Sequence, residues 1–168
     1  MGMEHYLGID VGGAKIAYGL FNGDKQLQAK LELPTNIDLT APQFFDLILE
    51  QARSFAKANA VPFSSLQGIG IGVPSFLNFN TGHIVKTGSI PLLHDFPVRT
   101  YLQKKLEHQI PIVIDNDANT GTLAELRQGA GKKLEHFIFT LISTGIGSGL
   151  MGRSLGEVQD LQGRAGIW

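Results

Sequence analysis

The stretch Gly8-Ile-Asp-Val-Gly-Gly-Ala-Lys15 joins an acidic residue, two glycines and a lysine in one short turn. Residues 6–11 before the turn and residues 15–21 after it have the apolar character of β-strands. Asn22-Gly23-Asp24 predicts a second hairpin, because Asn-Gly between apolar runs favours a tight turn. A third strand is expected over residues 26–33. The chain therefore opens with three consecutive antiparallel strands.

The rest of the chain alternates helices with strands. Thr40 and Gln43 have capping-box spacing, which predicts a helix from Thr40 to about Asn59. Further helices are expected over residues 97–108 and 118–128, single strands over 67–73 and 110–114, and a last hairpin over 136–142 and 147–152. The predicted fold class is α/β, with a mixed sheet that has helices on both faces.

Composition restricts the function classes. The 168 residues are 43% hydrophobic and 17% charged, and their net charge is −1. This balance argues against a nucleic-acid or membrane partner selected by charge, so neither is expected. The chain has no cysteine, which excludes disulfides and thiolate metal sites. No signal peptide or membrane-spanning run is present, and a cytoplasmic location is expected.

The first glycine turn places Asp10 at the end of one strand and Lys15 at the start of the next. A carboxylate inside an apolar strand is costly unless it is paired or linked to a metal ion. A Mg²⁺ ion, reached directly or through water, and a phosphate on the amides of Gly12 and Gly13 would provide such partners. The alternative is a plain hairpin in which Asp10 binds only local backbone.

A second polar segment, Asp115-Asn116-Asp117-Ala-Asn119, lies where a predicted buried strand turns into a helix. Open α/β sheets present side chains to ligands from this position. An acidic group there is placed to accept the proton of an attacking hydroxyl in phosphoryl transfer. The alternative is an ordinary helix N-cap. Both roles are compatible if one of Asp115 and Asp117 caps the helix while the other reacts.

A second glycine turn, Ser143-Thr-Gly-Ile-Gly-Ser-Gly149, closes the last predicted hairpin. Its amides and hydroxyls suit phosphate oxygens, although many glycine-rich hairpins bind nothing. The turn joins two strands and lacks a Gly-Lys-Ser/Thr ending, so it matches neither the Walker loop nor the Rossmann fingerprint. Two such turns with an acidic segment between them favour a nucleotide-dependent phosphotransferase.

In this order the segments resemble the ROK family of bacterial sugar kinases and repressors, within the actin-like, ribonuclease-H-like ATPase superfamily. The matching segments are residues 7–16, residues 70–74 with Thr81-Gly82 after them, residues 114–119 and residues 143–149. The resemblance implies an actin-like ATPase domain that uses ATP and Mg²⁺ and a small-molecule sugar.

The resemblance also implies a role for each matched position. Asp117 is expected to be the catalytic base that faces a sugar hydroxyl, and Asn116 and Ser89 are expected to contact the sugar. The expected nucleotide and phosphate contacts are Asp10, Gly12, Gly13, Lys15, Thr144, Gly145 and Gly147. Asp10 is also expected to hold Mg²⁺ through water.

Several positions depart from the family pattern. Ala14 stands where the family usually has Thr, residues 74–78 form a less glycine-rich turn, and Ser89 falls near a usual Asn. Members are about twice this length, and their Glu-x-Gly-His motif and zinc site lie beyond the second glycine turn, so no zinc site is expected. Residues 1–118 are predicted to be the N-terminal domain. Residues 119–168 are predicted to be a connecting helix and the truncated beginning of a second, similar domain.

Two functions follow as hypotheses. The first is transfer of the ATP γ-phosphoryl group to a hydroxyl of a hexose or N-acyl-hexosamine. The second is a non-catalytic relative that binds sugar, nucleotide or a partner subunit. A repressor is disfavoured because the motif begins at residue 7 and leaves no room for an N-terminal helix-turn-helix. Exposed apolar strand edges near residues 137–150 predict a homo-oligomer formed through the truncated second domain.

Overall fold

The computed structural model describes residues 4–142, 146–152, 157–160 and 165–167. The helices are α1 (Ala41–Ala58), α2 (Val98–Lys105) and α3 (Asp117–Gln128). The strands are β1 (His5–Val11), β2 (Lys15–Asn22), β3 (Leu27–Pro34), β4 (Leu66–Val73), β5 (Phe76–Asn78), β6 (His83–Lys86), β7 (Ile112–Asn116), β8 (His136–Ile142), β9 (Ile146–Gly152), β10 (Glu157–Asp160) and β11 (Ala165–Ile167). Each expected helix and strand is present; the β5–β6 hairpin, β10 and β11 were not predicted.

A five-stranded sheet in the order β3-β2-β1-β4-β7 forms the centre of the molecule. β2 runs antiparallel to both β1 and β3, whereas β1, β4 and β7 are mutually parallel. This arrangement confirms the predicted mixed sheet. Because parallel strands end at the same edge, the residues that follow β1, β4 and β7 meet there.

One face of this sheet carries the hydrophobic core. Every second residue of β1, namely Leu7, Ile9 and Val11, is buried on this face, as the alternation of a strand requires. Helices α1 and α2 cover it, and Phe44 and Phe45 of α1 are fully buried. The predicted capping box is confirmed, since Thr40 and Gln43 satisfy each other's backbone amides at the start of α1.

The opposite face is rich in glycine. Gly19, Gly8 and Gly70 lie in register across β2, β1 and β4. They form the floor of an open apolar depression of about 480 Å³. Thr120 and Leu123 of α3 line one end of it, so α3 is the helix on this second face.

Helix α3 connects this sheet to a second one, ordered β11-β10-β9-β8. Glycines bring the two together: a Cβ at Gly149 would lie 2.0 Å from Oγ1 of Thr122, and one at Gly121 would lie 2.5 Å from the ring of Phe139. β9 pairs with β8 and with β10, so within the described residues only β8 leaves an open edge in the 137–150 region. No helix in the described part of the chain is long and apolar enough to cross a membrane.

Candidate active site

Three neighbouring strands bring Asp10, Gly72 and Asp115 into one row at the carboxyl edge of the sheet. Asp10 of β1 lies opposite Gly72 of β4, which lies opposite Asp115 of β7. A Cβ on Gly72 would lie 3.6 Å from Oδ1 of Asp10 and 3.4 Å from Oγ1 of Thr120. Gly72 therefore lies in contact range of both the Asp10 carboxyl and Thr120 of α3.

Asn116 caps helix α3 and places Asp117 as its first residue. The backbone of Asn116 is extended (φ −61°, ψ 143°), and its Oδ1 accepts from the amides of Ala118 at 2.8 Å and Asn119 at 3.3 Å. A cap needs this extended backbone together with an oxygen that reaches the second and third amides. The alternative in which Asp115 or Asp117 caps the helix is therefore wrong, and neither carboxylate is used as the cap.

The rest of the segment is fixed by further hydrogen bonds. Nδ2 of Asn116 donates to the carbonyl of Ser75 at 3.0 Å, and Oδ1 of Asp115 accepts from the amide of Asn116 at 2.7 Å. Oγ of Ser75 and Oδ1 of Asn119 are buried and have no hydrogen-bond partner among the residues that the structure describes. Buried polar atoms are rarely left so, and such atoms often complete their bonds with water or ligand.

Both site carboxylates are easier to protonate than an ordinary Asp. Partial burial raises the pKa of Asp117, against the lowering effect of the Ala118 amide that donates to it. Asp10 keeps an exposed side, yet loss of water on its inner side raises its pKa, and the negative charge of Asp117 adds to this. The Lys15 ammonium acts in the opposite direction on Asp10. The two carboxylates are thus close enough to interact electrostatically.

The first glycine turn lies beside the loop that carries Ser89. A Cβ at Gly12 would lie 2.9 Å from the carbonyl oxygen of Lys15, so the turn requires glycine there. A Cβ at Gly13 would lie 3.4 Å from Cβ of Ser89. The fold therefore brings the predicted phosphate loop next to Ser89, a predicted sugar contact that lies far from it in the sequence.

Lys15 carries an ion pair that the sequence did not predict. Its Nζ lies 3.0 Å from Oε2 of Glu32, and Lys30 binds the other oxygen of Glu32 at 2.6 Å. Hydrogen bonds from these two lysines lower the pKa of Glu32. Because the Lys15 side chain is 63% exposed, water is available to replace Glu32 if a phosphate draws the ammonium away.

The first residues of β9, which follow the second glycine turn, lie against the first turn of α3. β8 ends at Ile142 and β9 begins at Ile146, which confirms the predicted hairpin. Thr144 and Gly145 lie outside the described residues. A Cβ at Gly147 would lie 3.1 Å from Cβ of Ala118, the residue after Asp117. Of the predicted second phosphate loop, Gly147 is thus placed next to the candidate base.

The described side chains do not form a complete magnesium site, but one carboxylate could take part in one. No group of three or more His, Cys, Asp or Glu side chains suited to a metal ion occurs within the described ranges. Mg²⁺ is often held by one or two carboxylates together with substrate phosphates and water. Asp10 could supply one carboxylate ligand in such an arrangement, and ATP phosphates and water would have to supply the remaining ligands.

Sequence reasoning missed three residues that shape the site: Gly72, Thr120 and Thr35. Gly72 belongs to a run of alternating glycines in β4, which identifies a strand but not a contact with a carboxyl. Thr120 Oγ1 donates to the carbonyl of Asn116, and the hydroxyl of Thr35 donates to the carbonyl of Gly12. Thr35 and Gly12 are 23 residues apart in the sequence, so no local sequence pattern predicts their contact.

Comparisons with known proteins agree with this architecture. The chain is 31% identical over 167 residues to the glucokinase of Halalkalibacterium halodurans, covering 96% of this chain and 48% of that protein. It is 29% identical over 146 residues to the N-acetyl-D-glucosamine kinase of Escherichia coli O127:H6, covering 87% of this chain and 46% of that one. The chain thus spans about half the length of the curated relatives it matches.

A solved structure matches the three-dimensional arrangement. The ROK hexokinase from Thermus thermophilus superposes with a TM-score of 0.76 at 33% identity, over 96% of this chain and 50% of that one. The actin-like fold expected from the sequence is thereby confirmed. The sequence pattern of the ROK family matches residues 6–163, which is nearly the whole chain. The chain therefore belongs to the ROK family.

Proposed function

We propose that this chain supplies the catalytic half of an ATP-dependent sugar kinase, which transfers the γ-phosphoryl group of ATP to a hydroxyl of a hexose or N-acyl-hexosamine. The observation that carries the proposal is the position of Asp117 on the first turn of α3, within electrostatic reach of Asp10 and one residue before Ala118, against which Gly147 lies. Relatives named glucokinase and N-acetyl-D-glucosamine kinase support the substrate class.

In the proposed reaction, Asp117 accepts the proton of the attacking sugar hydroxyl as the new oxygen–phosphorus bond forms and ADP leaves. A raised pKa makes Asp117 a stronger base than an ordinary aspartate at neutral pH. Mg²⁺ supplies charge neutralisation at the phosphates when bound. Asp10 orients that ion, and the free amides of the first glycine turn hold phosphate oxygens.

The sugar is proposed to lie between Asp117 and the loop that carries Ser89. Asn116 retains one Nδ2 hydrogen beyond its bond to Ser75, which leaves it able to donate to a sugar oxygen. The unpartnered Oγ of Ser75 lies next to Asn116 and is a further candidate contact. In this arrangement Asn116 both caps α3 and touches substrate.

The division of the chain belongs to the same proposal. Residues 1–118 are assigned to the first domain, and residues 119–168 to the connecting helix and the beginning of a second one. Gly147 would then face the nucleotide from the second domain. The chain's half-length match to its relatives supports this assignment.

A non-catalytic binding protein is the second candidate, and one contact favours it. The Lys15 ammonium is engaged by Glu32 at 3.0 Å instead of being held toward Asp10. A site that binds phosphate weakly without turning it over would have this property.

The test is a coupled assay with ATP, Mg²⁺ and a panel of hexoses and N-acyl-hexosamines, accompanied by calorimetric titration of each sugar and of a non-hydrolysable ATP analogue. We expect Asp117→Asn to lower turnover by a factor of about 10² to 10⁴ while sugar binding persists. Asp38→Asn, at an exposed aspartate outside the candidate site, is the matched control. Turnover that survives in Asp117→Asn would refute the role of Asp117. Binding without turnover in the unmodified chain would support the second candidate.

A further inference from the structure

The first glycine turn lacks one of the two hydrogen bonds that normally close a two-residue hairpin. In such a hairpin the residues on either side of the loop exchange a pair of backbone bonds. Here the amide of Gly12 donates to the carbonyl of Lys15 at 2.8 Å. The reciprocal bond, from the amide of Lys15 to the carbonyl of Gly12, is not formed between these described residues. The turn is therefore held half open.

Thr35 takes the place of the missing bond. Its hydroxyl donates to the carbonyl of Gly12 at 2.7 Å, and its amide donates to the carbonyl of Ala14 at 3.0 Å. Thr35 directly follows β3, whose register places Pro34 opposite Lys15. Strand pairing thus positions half-buried Thr35 at the turn, where its hydroxyl binds one carbonyl and its backbone amide binds the other.

This arrangement leaves backbone donors of the turn without backbone acceptors. Among the described residues, the amides of Gly13 and Ala14 have no backbone acceptor, and the amide of Lys15, which faces Gly12 across the turn, makes no bond to the Gly12 carbonyl. Successive free backbone amides form the concave donor arrays that bind phosphate oxygens. The carbonyls that would repel a phosphate are occupied by Thr35 at Gly12 and Ala14. Because Asp10 precedes the turn and Ser89 lies against Gly13, these donors are next to the candidate site.

We propose that Thr35 is a positioning residue that holds the first glycine turn open, so that its amides bind the phosphate chain of the nucleotide. The proposal rests on the proposed function for the identity of the ligand. The effect of Thr35 on the turn is expected in the free protein as well, and it does not depend on any ligand. Without the hydroxyl, the carbonyl of Gly12 would have the amide of Lys15 as its nearest replacement donor, and the turn would close.

The first experiment measures amide hydrogen exchange at Lys15 by NMR in the free 168-residue chain. Thr35→Val keeps the side-chain shape and removes the hydroxyl, so we expect exchange at Lys15 to slow by about fivefold or more as the turn closes. Thr35→Ser keeps the hydroxyl and should retain fast exchange. Thr100→Val, at an exposed threonine of α2 with no side-chain hydrogen bond, is the control. Equal exchange at Lys15 in the unmodified chain and in Thr35→Val would overturn the proposal.

The second experiment titrates the same proteins with magnesium tripolyphosphate, a probe that carries phosphates without a nucleoside. We expect the amide signals of Gly13, Ala14 and Lys15 to shift, and the affinity to fall about fivefold to tenfold in Thr35→Val but not in Thr35→Ser. Glucose affinity should be the same in all variants, which separates positioning of the turn from general loss of structure.

Failure of the proposed role of Thr35 and failure of the proposed kinase function would give different results. If the unmodified chain binds tripolyphosphate and Thr35→Val binds it equally well, the role of Thr35 is refuted while the kinase proposal stands. If the three amides do not respond to tripolyphosphate or to an ATP analogue in the unmodified chain, phosphate binding at this turn is refuted, and the kinase proposal loses its first phosphate loop. The exchange measurement still decides whether Thr35 opens the turn.

Discussion

At the scale of single residues, the site is built around two carboxylates that disfavour each other's charge. Asp10 and Asp117 both have raised pKa values, chiefly because each loses contact with water, and Asp117 further raises the pKa of Asp10. Perturbed carboxylates at the edge of a parallel sheet are typical of functional sites. Ionisation of these two carboxylates is less favourable in the folded protein than in the unfolded chain. The free energy of unfolding should therefore depend on pH.

Asp117→Asn should stabilise the protein at neutral pH. A raised folded-state pKa means that the favourable contribution of Asp117 is present below its unfolded pKa of about 3.9 and is lost as pH rises through the folded value. Asparagine removes the ionised form while keeping an oxygen for the Ala118 amide. We expect Tm to rise by a few degrees at pH 7 and the gain to vanish near pH 3.

Thermal denaturation followed by circular dichroism at the two pH values checks this prediction. Asp38→Asn, whose side chain is exposed, should leave Tm unchanged at both. A lower Tm for Asp117→Asn at pH 7 would show that burial does not penalise the charged form.

If Lys15 binds phosphate as proposed, Glu32 is expected to compete for its ammonium group. Glu32→Gln removes a negative charge near the turn and releases Lys15, so affinity for tripolyphosphate should rise about twofold to fourfold at low salt, as expected for one exposed ion pair. Lys30→Gln should lower the affinity for tripolyphosphate. It removes one of the two lysines that bind Glu32, so the ion pair between Glu32 and Lys15 should become stronger. Calorimetric titration at two salt concentrations measures both. Unchanged affinity in Glu32→Gln would mean that the ion pair does not restrain Lys15.

At the scale of elements, the contact between α3 and the β8–β9 hairpin depends on glycine. Asp117 begins α3, and Gly147 and Gly149 of β9 lie against Ala118 and Thr122 on the same helix. Any side chain at these glycines would push the hairpin away from the helix that carries the candidate base. The close packing therefore sets the position of β9 relative to Asp117.

Gly149→Ala should destabilise the protein by about 1 to 3 kcal/mol, the usual cost of forcing extra atoms into a packed interface. The added Cβ would lie 2.0 Å from Oγ1 and 2.9 Å from Cβ of Thr122, and Thr122 is fully buried. Gly70→Ala is the matched control, because no atom lies within 4 Å of a Cβ there. Chemical denaturation gives both free energies of unfolding. Equal stability of the two variants would contradict the close contact.

At the scale of the whole molecule, the second sheet leaves an apolar face exposed. The side chains of Ile138, Ile142 and Ile146 are 65%, 75% and 78% exposed, and Ile142 pairs directly with Ile146 across the hairpin. On the other side of β8, Phe139 packs against Gly121 of α3. Exposed apolar side chains next to an open strand edge favour association. The homo-oligomer expected from the sequence remains a prediction, now placed on β8 and its isoleucine face.

Ile142→Lys combined with Ile146→Lys should convert an oligomer of the 168-residue chain to a monomer. Two charges on this face make burial against another copy unfavourable, while the side chains are too exposed to matter for folding. Light scattering coupled to size-exclusion chromatography measures the mass. Val85→Lys, at a side chain that is 58% exposed on β6, should leave the mass unchanged. A monomeric unmodified chain would contradict the prediction.

The sequence by itself determined the order and approximate bounds of the expected helices and strands and the family. These follow from local rules: alternation defines β1 and β4, the Thr40–Gln43 capping box begins α1, and the helix predicted to stop at Gly129 does end at Gln128. It also selected the segments that carry the candidate site. Each of these features depends on residues within a few positions of one another.

Only the tertiary structure decided which of those residues meet. Three hydrogen bonds at the site join residues that are distant in sequence. The Thr35 hydroxyl binds Gly12, 23 residues away, and Asn116 binds Ser75, 41 residues away. Lys15 binds Glu32, 17 residues away. The sequence assigned no contact to Thr35 or Glu32 and did not choose the cap of α3 among the polar residues of its segment. The physical reason is that strand register and helix packing set these distances, and both are fixed by burial over the whole sheet.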